Sequence, residues 1–195
     1  MHVRFEVTHR DGAARTGRLT TPHGEIETPA FMPVGTLGAV KGVTAPALEE
    51  IGAQILLSNL YHLSLRPGIE RIERLGGLHA FTGWRRPILT DSGGFQVWSL
   101  AHRRELDPDG VTFKSPVDGE TLRFTPEDVV DRQRRLGVDV AMVLDECPAW
   151  PVERAEAERS WNLTRSWAER SRAARERLGG PAGLFGLVQG SVFPE

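Results

Sequence analysis

Four apolar runs in this chain stop on polar residues, and that recurrence limits the fold more than any other feature. "AQILLSN" ends at Ser58-Asn59, "PILTD" at Asp91, "VDVAMVLDE" passes Asp145, and "GLFGLVQG" carries Gln189 before its last glycine. Segments with helical spacing and a closing glycine precede most of them. Near-continuous apolar strands alternating with helices imply a parallel sheet covered by helices. In such a sheet every strand ends on the same side, so Ser58-Asn59, Asp91, Asp145 and Gln189 should converge on one face, where α/β folds build their sites.

The helical segments carry their own boundary signals. "TAPALEEIG" has Thr44 as N-cap and Gly52 beyond its end, and "PGIERIERLGG" closes on Gly76-Gly77. "TPEDVVDRQRRLG" begins with Thr125, Pro126 in the first turn and Asp128 three residues on, and stops at Gly137. A long helix is expected over 151–178, with Ala157, Trp161, Thr164, Ala168, Ser171, Ala174 and Leu178 as its packing stripe. "VTFKSPVDGETLRF" reads as a hairpin turning at Asp118-Gly119. Residues 1–28 read as an antiparallel lead-in with turns at Asp11-Gly12 and His23-Gly24, and 29–195 as the alternating region. About five strands of the parallel kind are visible, against eight in a closed (β/α) barrel. The sheet is therefore either open or the beginning of a barrel.

Composition excludes several classes. Of 195 residues 39% are apolar and 26% charged, which fits a folded domain rather than a disordered chain. A net charge of −2 offers no global attraction to nucleic acid, so RNA binding would need a local patch. The single cysteine, Cys147, cannot form an intrachain disulfide. With no signal-like or membrane-spanning apolar run, the expectation is a cytoplasmic protein without membrane contact. His62, His79 and His102 have no cysteine or histidine at zinc-like spacing, so no metal site is expected within the chain.

The strand-end residues define a candidate site. In Asp91-Ser92-Gly93-Gly94-Phe95 a carboxylate can act as acid or base, the glycines admit close backbone approach, and Phe95 offers a flat apolar surface. A tight βα turn with a solvated Asp91 is an equally good account of this stretch alone. Asp145 follows five apolar residues and should be partly buried, so it must be paired or hydrogen-bonded. Gln189 has both a donor and an acceptor, suited to the edge of a nucleobase or to satisfying backbone. Glu146 should point away, and Cys147 reads as a small packed residue. Two carboxylates, an amide, an aromatic ring and glycine amides on one face suit a planar, purine-like ligand.

"TPAFMPVGT", "AVKGVTAPALEEIGAQILLSNLYHLSLRPG", "LTDSGGFQVWSL", "GVTFKSPVDG", "DVAMVLDECP" and "GLVQGS", in that order and spacing, resemble the tRNA-guanine transglycosylases, or queuine tRNA-ribosyltransferases, of the bacterial type. The resemblance implies an incomplete (β/α)8 TIM barrel and an enzyme, a pentosyltransferase of queuosine biosynthesis. Such enzymes exchange guanine at the tRNA wobble position for queuine or its precursor through a covalent ribosyl-enzyme. By this likeness Asp91 is the general acid/base, Ser92, Gly93, Gly94 and Phe95 form the base-pocket loop, and Asp145 and Gln189 read the base. Cys147 falls where the family often has a pocket-wall cysteine. The family is about twice as long, and its nucleophilic aspartate, its structural zinc site of three cysteines and a histidine, and a further pocket glycine have no match here. The expectation is an N-terminal half that is inactive alone, with tRNA and a guanine- or queuine-type base as partners and a homodimer when the protein is whole. A noncatalytic base- or tRNA-binding relative and a glycosidase using Asp91 and Asp145 as its carboxylate pair are the alternatives.

Overall fold

The computed structural model describes residues 3–94 and 104–193. The chain opens with an antiparallel meander, β1 (Arg4–Asp11), β2 (Ala14–Thr21) and β3 (Gly24–Thr28). Gly12 takes the left-handed conformation that the tight turn after Asp11 requires, with φ +57°. Leu19 and Ile26 face inward and pack with Ile55 and Val140, residues at the beginnings of two parallel strands. The meander therefore lies beneath the N-terminal ends of the main sheet.

That main sheet consists of β4 (Leu56–Ser58), β5 (Ile88–Thr90), β9 (Val140–Met142) and β10 (Gly183–Phe185), all parallel. Val34 adds a parallel bridge to Leu57, so the expected five runs lie side by side. Their spatial order is their chain order, 34–57–89–140–184, without the reversal that marks a doubly wound sheet. Among the described residues the sheet does not close into a barrel. The four strands are only three residues long and Val34 adds a single bridge, less than their apolar runs suggest.

Helices α1 (Ala45–Glu50), α2 (Leu60–Leu65), α3 (Ile69–Arg74), α4 (Gly77–Thr82), α5 (Pro126–Leu136) and α6 (Arg154–Leu178) occupy the connections. The cap signals act as expected at both ends of α5. Thr125 accepts from the Asp128 amide, and Gly137 adopts the left-handed conformation past the end. Sequence patterning misses α2 and α4, six-residue helices too short to show a period. It also misses β6 (Arg104–Asp107), which joins β7 (Gly110–Lys114) and β8 (Thr121–Phe124) in a second antiparallel sheet.

The expected stripe on α6 needs correction. The buried line is Ala157, Ser160, Thr164, Trp167, Ser171 and Ala174, whereas Trp161 and Leu178 are exposed. Trp161 sits one position around the helix, and Trp167 takes the core place, its indole N–H donating to the Pro108 carbonyl at 2.8 Å. Helices α5 and α6 pack together, with Leu136, Val129 and Trp167 joining Ile72, Leu78, Trp84 and Ile88 in one core. No described helix is long and apolar enough to cross a membrane.

Candidate active site

Leaving β5, Asp91 is pinned at its backbone by an N–H bond to the Ser58 carbonyl at 3.1 Å. Its carboxylate reaches the start of the neighbouring βα unit. Oδ1 accepts from the Leu60 amide at 2.8 Å, and Oδ2 accepts from the Asn59 side-chain amide at 2.5 Å. Asn59 occupies the N-cap position of α2, yet its side chain makes no capping bond there, being committed to Asp91. Burial raises the Asp91 pKa above the ordinary carboxylate value, against the opposing pull of Asn59, the Leu60 and Gly93 amides and His62. Asp91 is thus an oriented carboxyl group that holds a proton more readily than a solvated one.

Ser92 turns the chain toward the next strand. Its hydroxyl donates to Asp145 Oδ1 at 3.2 Å and accepts the Gly94 amide at 3.2 Å. Gln189 donates from Nε2 to the other oxygen, Asp145 Oδ2, at 2.7 Å. Asp145 is buried, and that burial raises its pKa, with the negative field of Asp91 adding to the rise. Among the described side chains, Ser92 donates to one Asp145 oxygen and Gln189 to the other, and a carboxylate oxygen has lone pairs enough to accept a further donor.

The two glycines have separate reasons. Gly93 has φ +90°, and a Cβ there would stand 3.0 Å from the Phe124 ring. A Cβ on Gly94 would lie 1.8 Å from Asp145 Oδ1, so this position has no room for one. The close approach inferred from the glycines is therefore made, at Gly94, to the protein's own carboxylate. Phe95 lies outside the described residues.

A cavity of about 310 Å³ opens among these groups, lined by Asp91, Ser92, Gly94, Asp145, Cys147 and Gln189, with Leu57, Leu89, Met32, Met142 and Leu187 as apolar wall. Apolar walls with a few convergent polar groups are the usual form of a small-molecule site. Burial and then Asp145 push the Cys147 thiol up, which suits a wall and not a nucleophile. Glu146 turns away into the α6 interface, where Arg159 pairs with it at 2.7 Å.

Sequence reasoning noted Asn59 but gave it no role, and gave none to Gln133. Gln133 is fully buried on α5; its Oε1 accepts from the Thr90 hydroxyl and the Met142 amide, both at 2.9 Å. Its Nε2 donates to the Met142 carbonyl at 2.9 Å. One amide thus ties β5, just before Asp91, to β9, just before Asp145. A lone glutamine inside an amphipathic helix gives no sign of this; only its place on the apolar face does.

Local spacing gives His79 no ligand-like neighbour, but the fold brings it to His23 and Asp139 at the opposite, N-terminal end of the sheet. His102 lies outside the described residues.

The family model described as queuine tRNA-ribosyltransferase matches residues 11–195. Proteins named queuine tRNA-ribosyltransferase from Koribacter versatilis, Chromohalobacter salexigens and Thermus thermophilus are 51%, 52% and 54% identical over 100%, 99% and 98% of this chain. Those alignments take in 53%, 51% and 49% of the respective relatives, so the chain spans about half the length of the curated relatives it matches.

Proposed function

Since this chain belongs to the queuine tRNA-ribosyltransferase family, we propose that it supplies the base-handling pocket of a tRNA-guanine transglycosylase. One observation carries the reading. Two carboxyl groups, Asp145 buried and Asp91 half-buried, both with pKa values raised by desolvation, face one cavity together with Ser92, Gln189 and Gly94. A purine offers that cavity ring N–H and amino donors for Asp145 and an acceptor for Gln189.

In this reading Asp91 donates its proton to a ring nitrogen of the leaving guanine as the bond between that base and ribose C1′ breaks. The electron pair of the broken bond departs with the base. A carboxylate oxygen closes on C1′, holding the sugar covalently. The incoming queuine-type base then loses a proton to Asp91 and attacks C1′, and the carboxylate is released. The attacking carboxylate is assigned to the half of the relatives that this chain does not match, and so is the structural zinc. Cys147, alone and in the pocket wall, does not provide a three-cysteine site. The (β/α)8 barrel, of which the five ordered parallel runs would be the first part, belongs to the same proposal, as do a tRNA partner, a cytoplasmic setting and self-association.

The test is exchange of labelled guanine into a cognate tRNA. The 195-residue chain is compared with a longer protein that continues into the region the relatives share. Exchange by the longer protein alone, lost in Asp91→Ala, supports the reading. Exchange by the short chain would overturn the assignment of the nucleophile outside it.

A further inference from the structure

Beneath the sheet, far from the pocket, three side chains from distant parts of the chain meet. His23 comes from the β2–β3 turn, His79 from α4, and Asp139 stands immediately before β9. His23 Nδ1 lies 2.8 Å from Asp139 Oδ1, and His79 Nε2 lies 3.1 Å from Oδ2. One nitrogen or oxygen from each of the three falls within 4.8 Å of the others. We propose that His23, His79 and Asp139 form a binding site for a divalent transition-metal ion of the zinc class.

A hydrogen-bonded clasp alone leaves one atom unexplained. His79 Nε2 is buried and, at 3.1 Å from Oδ2, is poorly aligned for a hydrogen bond with it and has no other partner among the described residues. In the tautomer with its ring proton on Nδ1, that nitrogen presents the free lone pair a metal requires. The tautomer follows: ligation through His23 Nδ1 and His79 Nε2 puts their ring protons on the opposite nitrogens.

The carboxylate is already oriented as a ligating carboxylate needs to be. The Ile88 amide donates to Oδ2 at 2.9 Å and the His23 amide to Oδ1 at 3.3 Å, so backbone groups fix its plane independently of the rings. Its side chain has no exposure, while that of His79 has 15% and that of His23 has 40%. The gradient gives the ion a way in from the solvent side, with His23 as the outermost ligand. Two imidazoles and one carboxylate make the donor set of a zinc site with its fourth position open to water. The imidazole rings stack at 3.7 Å and 18°. Binding therefore tilts one of them, to aim both lone pairs at a point about 2.0–2.1 Å from each nitrogen. His23, on an exposed turn, is free to make that movement. A bound ion would staple the meander, α4 and the start of β9 together.

The experiment is a titration of the untagged 195-residue chain with Co²⁺ and Zn²⁺. It reads stoichiometry by calorimetry, ligand geometry by the visible spectrum of Co²⁺, and melting temperature with and without Zn²⁺. One Co²⁺ per chain with a nitrogen–oxygen tetrahedral or five-coordinate spectrum is expected, along with a Zn²⁺-dependent rise in melting temperature. His23→Gln removes a ligand at the surface without touching the core; it should fold as the parent does, by circular dichroism, and bind at least tenfold more weakly. Asp139→Asn should abolish the spectrum. Should that variant unfold, His79→Gln serves as the second interior test. Absence of saturable binding, or unchanged affinity and spectrum in His23→Gln, would overturn the proposal. None of these readouts uses base exchange, so failure here leaves the pocket reading untouched.

Discussion

The parallel sheet has buried aspartates at both ends, and the protein treats them in opposite ways. Before β9, burial alone would raise Asp139, but the His79 ring, the Ile88 amide and His23 overcome it and hold the group below the ordinary carboxylate range. Beyond β5 and β9, burial prevails at Asp91 and Asp145. Their partners are mainly neutral amides and a hydroxyl, and the field of Asp91 adds to the rise at Asp145. The same residue type thus keeps its charge at one end and favours its proton at the other. Two imidazoles and backbone amides surround the one; amides and a hydroxyl are left to the others, and desolvation prevails there.

The sharpest way to break this contrast is through the reaction. In the longer, active protein Asp91→Ala should lower guanine exchange by roughly 10²–10⁴-fold, the usual contribution of a general acid. Asp139→Asn should leave the turnover number within a few-fold once the fraction folded is corrected for. Equal losses at the two ends would dissolve the distinction.

Next in size is Gly94→Ala. Its methyl group collides with the Asp145 carboxylate, and overpacking of this kind costs about 1–3 kcal/mol. Relief requires moving Asp145, so guanine affinity, measured calorimetrically, should fall together with stability. A variant that binds guanine like the parent would show that Asp145 can move without consequence.

Asp139→Asn in chelator-treated buffer should cost about 1–3 kcal/mol in urea unfolding at neutral pH, because buried donors lose a charged acceptor. The sign with pH is fixed by the depressed value. The stability Asp139 supplies is present above the ordinary carboxylate pKa of about 4 and is lost as pH falls through its lowered folded value, so the difference from the parent shrinks in acid.

Asp145→Asn should behave in the opposite sense and on the smallest scale. The asparagine oxygen still accepts from Gln189, and its Nδ2 can donate to Ser92. A raised carboxyl contributes stability fully below about pH 4 and loses it as pH rises through the folded value. The variant should therefore gain on the order of 1 kcal/mol over the parent at neutral pH and nothing in strong acid. A loss at neutral pH would show that the charge of Asp145 is better satisfied than its surroundings imply.

Much of the pocket was legible because the rule that reveals it is geometric. Parallel strands end on one side, so Asp91, Asp145 and Gln189 could be brought together from apolar runs alone, and Ser92 and Gly94 follow Asp91 directly. The Leu60 amide had no signature, since every residue has one, and Asn59 showed only as a polar strand end with nothing to tie it to Asp91. Gln133 was hidden because a buried polar residue on a helix differs from a solvated one only in what the helix packs against. The trio at the other end was invisible for a stronger reason: His23 and Asp139 are 116 residues apart, and no local pattern spans that distance. On α6 the error was rotational, by one position, which moved Trp161 out of the core and Trp167 into it.

The chain-order arrangement of the strands has a consequence for how the molecule comes into being. Asn59 meets Asp91 across 32 residues, Ser92 meets Asp145 across 53, and Gln189 meets Asp145 across 44, so most of these links join one βα unit to the next. A chain emerging from the ribosome can therefore build the pocket progressively, each new strand finding its neighbour already waiting. The clasp at Asp139 follows the other rule. Its earliest member must wait until most of the sheet has been synthesised, and its closure marks the moment when the meander, made first, is finally locked in place.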